Sequence, residues 1–191
     1  MAWFKRKSPK TAPAAPPPAD TPQQAVVARA MAAPEGVQLA LASDLVNALR
    51  PFGSLDKAVV GPRVFNGLAG DALTALRTRD KRLATTTDAK VRRLLQLDDE
   101  EAEEPDGPGF FVHSTLVAIT YALGLLTAEW QPATSNLVTR FLDTLGFVDD
   151  DLGTGLYEDG IAAVNAVLQG GQMDPAFDAA CRRAAKDLRA S

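Results

Sequence analysis

The chain of 191 residues holds one cysteine and one histidine, and aromatic residues make up only 6% of it. A lone thiol, Cys181, excludes an internal disulfide, so nothing calls for an oxidising compartment and a cytoplasmic protein is expected. A lone imidazole, His113, excludes the paired-histidine spacings of zinc sites. Glycine-rich phosphate loops and interleaved basic and aromatic residues are missing as well, which removes the usual signatures of nucleotide and nucleic-acid binding. Cations are in deficit, with 20 Lys and Arg against 24 Asp and Glu and a net charge of −4. Such a balance excludes a protein that coats nucleic acid over its whole surface and leaves only a local basic patch for that role. No run of four to eight residues alternates in the manner of a strand.

What the chain does have is apolar content, 46% of its residues, enough for one real core at this length. The first 35 residues stand apart. "MAWFKRKSPK" is basic and aromatic, and "TAPAAPPPADTPQQA" is a Pro/Ala tract too poor in apolar side chains to order itself. Residues 1–35 therefore read as a disordered arm, and residues 36–191 as the folded domain. The arm is not a secretory signal, because prolines occupy the place of an apolar run. Trp3, Phe4, Lys5, Arg6 and Lys7 suit a membrane surface or an acidic partner.

Beyond residue 36 the apolar spacing is helical throughout, which predicts an all-α bundle of about six to seven helices. Val37, Leu41, Leu45 and Leu49 share one face before Pro51, and Phe65, Leu68, Ala72, Leu76 and Leu83 share another. "TTTDAKVRRLLQL" opens a third helix on a threonine cap, with Asp88 in its first turn and Val91, Leu94 and Leu95 inward. Three more follow: one over "PATSNLVTRFLDTLGF" ending at Gly146, one over "LYEDGIAAVNAVLQGG", and one opened by Asp174 and Pro175. Sliding the chain by 92 residues lays "SDLV" at Ser43 over "SNLV" at Ser135 and keeps later helices in step, a weak sign of internal duplication.

Between the halves, the acidic segment "DDEEAEEPDGPG" predicts a flexible loop over residues 98–109. An uncharged stretch, Phe110 to Ala128, follows it within a predicted central helix over residues 110–129. Phe110 to Ala128 is long enough to cross a bilayer. Its hydroxyls and its carboxylate flanks, Asp106 and Glu129, argue instead for a core helix apolar on all sides.

Candidate chemistry is sparse. His113 has no second histidine or carboxylate on its helix, so it reads as a hydrogen-bonded residue near a helix start rather than a base. Cys181 shares a face with Phe177, Ala184 and Leu188, the setting of an inert buried thiol. The aspartates around "GTG" invite calcium, but counting from Asp149 puts Thr154 at the sixth and Gly160 at the twelfth loop position, where Gly and Glu are required. No cofactor or metal is expected. The remaining feature is a basic segment, Arg77, Arg79, Lys81, Arg82, Lys90, Arg92 and Arg93, followed directly by six carboxylates from Asp98 to Glu104. It suits an acidic partner or nucleic acid, with the acidic loop folding back as competitor. The expectation is a non-enzymatic interaction or regulatory module with a protein partner. Competing readings are a membrane-associated protein using the arm or the 110–128 segment, and an enzyme or metal protein using the Asp149–Asp159 loop.

Overall fold

Eight α-helices and no strand make up the described residues, 21–57, 59–98, 107–127 and 132–190, of the computed structural model. The helices are α1 Pro22–Ala32, α2 Glu35–Leu49, α3 Pro62–Thr78, α4 Lys81–Asp98, α5 Pro108–Thr127, α6 Ala133–Leu152, α7 Leu156–Leu168 and α8 Pro175–Leu188, with one turn of 3-10 helix at Phe52–Ser54. The all-α bundle expected from the apolar spacing is the observed fold.

The expected disordered arm over 1–35 is corrected in its second half. Residues 1–20 lie outside the described residues, but α1 begins at once after them. Thr21 accepts from the Gln24 N–H, Gln24 returns a hydrogen bond to the Thr21 N–H, and Pro22 takes the first helical position. This capping box was written in "TPQQ". The Pro/Ala composition upstream masked it.

The second helix was expected to run to Leu83. It stops at Arg79, which takes the left-handed conformation (φ 54°) and lets Asp80 start α4 by accepting from the N–H groups of Arg82 and Leu83. The expected threonine cap is thereby displaced: Thr85 and Thr86 lie inside α4 and donate to the carbonyls of Lys81 and Arg82. Asp88 is no first-turn acid; it is buried mid-helix. α6 likewise passes Gly146, the expected stop, and ends at Gly153 in the left-handed region (φ 61°). The acidic loop is shorter than 98–109. α4 includes Asp98, Gly107 makes a turn at φ 64°, and Pro108 and Gly109 are already in α5; residues 99–106 lie outside the described residues.

α5 occupies the centre, as its uncharged composition predicted. It packs on α2, α3, α4, α6 and the Phe52–Ser54 turn, and Leu116, Ile119, Ala122 and Leu123 are fully buried. By length and composition it is the one described helix able to cross a bilayer, with mean hydropathy 1.7, yet 72% of its apolar window is buried by neighbouring helices. Residues 128–131 lie outside the described residues. The hydroxyls that dilute its hydropathy are satisfied: Thr115 donates to the Phe111 carbonyl, and Ser114 meets Thr144 of α6 at 2.6 Å. Thr144 spends its proton on the Arg140 carbonyl, so Ser114 is the donor in that pair.

A second layer, α7 with α8, leans on α2 and α6. α7 approaches closely because Gly160 faces Leu145 and Phe141; a Cβ there would collide with the Leu145 side chain. Helices α3 and α4 do fall in step with α7 and α8 under the 92-residue shift. The halves are not packed alike, since α4 rests on α5 and α3 on α2 and α5, whereas α7 and α8 rest mainly on α2 and α6. α1 lies across α6 and α7, antiparallel to α6. Gln23 at its start bonds Asp143, and Met31 at its end shares a cavity with Pro132, Ala133 and Thr134.

Candidate interaction surface

The α3–α4 hairpin carries all seven residues of the basic segment, and the structure divides them. The exposed side of α4 is Lys81, Arg82, Thr85, Thr86, Ala89, Lys90 and Arg93. These positions recur every three or four residues, so they form one face about 18 Å long. Among the described side chains that face has cations and hydroxyls and no carboxylate, because Asp88 is turned inward. Lys90 makes an exposed ion pair with Asp71 of α3 at 3.7 Å. Such a pair is worth about 0–1 kcal/mol and leaves the cation available to a competitor.

Arg92 does not belong to this face. It is half-buried, and its Nε donates to Asp88 Oδ2 at 2.6 Å. Asp88 is only 5% exposed, so its charge needs that guanidinium. Among the described residues, Thr87 Oγ1 and Asp88 Oδ1 have no hydrogen-bond partner. The role of Arg92 is therefore structural: removal would strand a buried carboxylate.

Arg77 and Arg79 sit at the other end of the hairpin and look across α2. With Leu73 and Leu76 they wall a groove of about 530 Å³ whose floor is Gly36, Ala40, Ser43 and Asn47. Arg79 makes a 4.0 Å ion pair with Glu35, both side chains exposed. The same floor continues into a second hollow of about 500 Å³ toward Gly170, Gly171 and Asp178. There Asp44 is held above the usual carboxylate range by burial and then by the charge of Asp178. Sequence reasoning missed this groove. Its signal was the small residues at positions 36, 40, 43 and 47, which leave α2 thin on the side not packed on α5 or α6.

The acidic segment is anchored at Asp98 and Gly107, and its own residues 99–106 lie outside the described ones. Its reach is nevertheless bounded. A chain that leaves Asp98 and returns at Gly107 extends at most about 16 Å from its anchors. Arg93 and Lys90 lie about 8 and 12 Å from Asp98 along α4; Arg82 and Lys81 lie about 24–26 Å away. Only the C-terminal half of the basic face lies within that distance of Asp98. Arg77 and Arg79, at the far end of the hairpin, are out of its range.

The remaining candidates are plain in the geometry. Asp149 closes the "GTG" turn by capping α7: its carboxylate accepts from Thr154 Oγ1 at 2.6 Å and from the N–H groups of Leu156 and Tyr157 at 2.8 and 2.7 Å. Partial burial pushes its pKa up, but the bonds from Thr154, Tyr157, Leu156 and Gly155 outweigh that and leave it below the ordinary value. Among the described residues no group of three or more His, Cys, Asp and Glu is placed to hold a metal ion. His113 is half-buried in the second turn of α5. Cys181 is fully buried; burial first, and Asp178 next, push its thiol up to about 12.

No protein-family model, curated protein or solved structure matches the chain.

Proposed function

We propose that the chain is a non-enzymatic interaction module that presents the outer face of α4 to an acidic segment of a protein partner. The observation that carries this reading is the sign of that face. Lys81, Arg82, Lys90 and Arg93 are exposed on one side of a single helix with only Thr85, Thr86 and Ala89 between them, in a chain whose net charge is −4. Random placement of more acids than bases does not favour an acid-free face of that length. The hydroxyls add neutral donors suited to carboxylates. Arg79, at the hairpin tip, extends the same charge toward the α2 groove. Lys90 and Arg93 fall within reach of the chain's own acidic segment, which makes that segment a local competitor for half of the face.

The test uses a synthetic peptide of sequence DDEEAEEPD as the acidic probe and fluorescence anisotropy as the readout. Binding is expected at low salt and is expected to weaken as screening rises. Arg82→Glu with Arg93→Glu should abolish it without loss of helix content. Replacing Asp98, Asp99, Glu100, Glu101, Glu103 and Glu104 by Ser or Gln should strengthen it, with the gain confined to the Lys90–Arg93 end. Binding that survives the double reversal sinks the assignment. A short DNA duplex binding more tightly than the peptide would turn the reading to nucleic acid.

A further inference from the structure

The start of α1 lies against the C-terminal half of α6. Gln23 at the start of α1 donates from Nε2 to Asp143 Oδ1 at 3.2 Å and accepts from the Tyr157 hydroxyl at 3.1 Å. Because α1 is antiparallel to α6, the chain followed backwards from Gln23 heads for the C-terminal end of α6. On α6, Asp143, Phe147 and Asp150 are spaced by four and three residues and so share one face, with Asp151 beside them. All four are exposed. Phe147 remains 48% exposed although its ring lies 4.3 Å, centroid to centroid, from that of Phe110. Asp149, between them in sequence, is committed to the α7 cap. The cation one turn before Asp143 on this helix is Arg140, half-buried. Glu158 and Asp159, exposed at the start of α7, add to the negative charge at this end.

We propose that this outward face of α6 is the docking site of the chain's own segment Trp3–Lys7. Trp3 and Phe4 cover Phe147 and the edge of Phe110, as aromatic pairs do when ring centroids come within about 4.5–7 Å. Lys5, Arg6 and Lys7 meet Asp143, Asp150 and Asp151. The two sequences are complementary in kind and in order of size: a pair of aromatics beside three cations, facing a pair of phenylalanines beside three carboxylates. The tether suffices. Thirteen residues lie between Lys7 and Thr21, a path of about 43 Å if extended as polyproline, whereas Asp143 and Asp151 are about 12 Å apart along α6. A short tether holds its end at an effective concentration on the order of millimolar. A second copy at micromolar concentration presents the same chemistry roughly a thousandfold more dilute, so the intramolecular contact prevails. The same five residues have the composition that would adsorb to an anionic surface, and docking withholds them from it.

The test uses the full chain. Subtracting the spectrum of Trp3→Phe isolates the emission of Trp3 without altering Trp130. Trp3 emission is expected to be blue-shifted relative to a synthetic peptide of residues 1–12. That shift should vanish as NaCl rises from about 0.01 to about 1 M, where the screening length falls from about 30 to about 3 Å. Phe147→Ser should remove the shift with helix content unchanged, and Asp150→Lys with Asp151→Lys should cut the docked fraction about fivefold or more. Carbodiimide should join Lys5 or Lys7 to Asp150 or Asp151 within the monomer. Trp3 emission equal to that of the free peptide at low salt overturns the proposal. So do crosslinks found only in dimers, which assign the contact to a second copy, and a shift that arises only on adding phosphatidylserine vesicles, which assigns the segment to a membrane.

Discussion

The Asp149 carboxylate belongs to two helices, sitting in the last turn of α6 and closing the first turn of α7. That double duty makes it the most informative single residue for acid stability. Its folded pKa lies below the ordinary value, so the folded state holds the proton less readily than the unfolded chain. The resulting stabilisation is fully present above the unfolded pKa of about 3.9 and is lost as pH falls through the lower folded value. Asp149→Ala is expected to cost about 0.5–2 kcal/mol at neutral pH, the range of a lost N-cap. Urea melts of both proteins across the acid range check this: the gap should narrow as pH drops, and a gap constant with pH would mean that the charge contributes nothing. The sequence displayed the acids from Asp149 to Asp159 and the failed calcium spacing, but not which acid caps the next helix. That depends on α6 running six residues beyond Gly146, which its local pattern did not announce. Arg92 is similar. Its position in a basic run gave no sign that Asp88, four residues earlier, would be buried and need it.

α1 is the element the composition hid and the one held most lightly. Val26 and Ala30 are its only buried residues. Its other ties are polar: Gln23 to Asp143 and Tyr157, Arg29 to Asn165, and Gln38 reaching back to the carbonyls of Met31 and Ala33. Burying one valine and one alanine contributes about 2–4 kcal/mol before the cost of ordering eleven residues. A chain truncated to residues 34–191, which keeps the start of α2, is therefore expected to stay helical by circular dichroism and to lose about 1–3 kcal/mol in chemical denaturation. A disordered spectrum would make α1 indispensable; unchanged stability would leave its packing without consequence. Elements with a continuous apolar stripe, α3 and α6 among them, were legible from spacing, and so was α8 from Asp174 and Pro175. The α3–α4 break was not, because Arg79 takes a left-handed conformation more often given to glycine or asparagine. The surface candidates followed the elements: the outward face of α4 was legible in its leucine spacing, whereas the α2 groove needed three helices in place.

At the scale of the whole molecule, α5 decides how the chain holds together. Its uncharged composition is compatible with a bilayer and with a protein core, and in the folded chain α3, α4, α6 and α2, each with an apolar stripe, all pack on it. The sequence contained both halves of that argument, the helix apolar all round and the stripes that must cover it. Which helices touch it and which lean elsewhere was not legible, because α7 and α8 have stripes of the same quality and rest mainly on α2 and α6 instead. A core organised this way should fail as a unit. Leu116 is fully buried at the middle of α5, and Leu116→Ala leaves a cavity that rigid neighbours on several sides cannot close, at a cost of about 2–5 kcal/mol. For a domain of this length about 2–4 °C is lost per kcal/mol, so Tm should fall by about 4–20 °C. The transition should remain single and should coincide by circular dichroism at 222 nm and by near-ultraviolet signal. Two separated transitions would mean that α7 and α8 unfold apart from the α5 layer. An unchanged Tm in detergent-free buffer would mean that α5 is not the core of the folded protein, and the bundle described above would have to be redrawn around another helix.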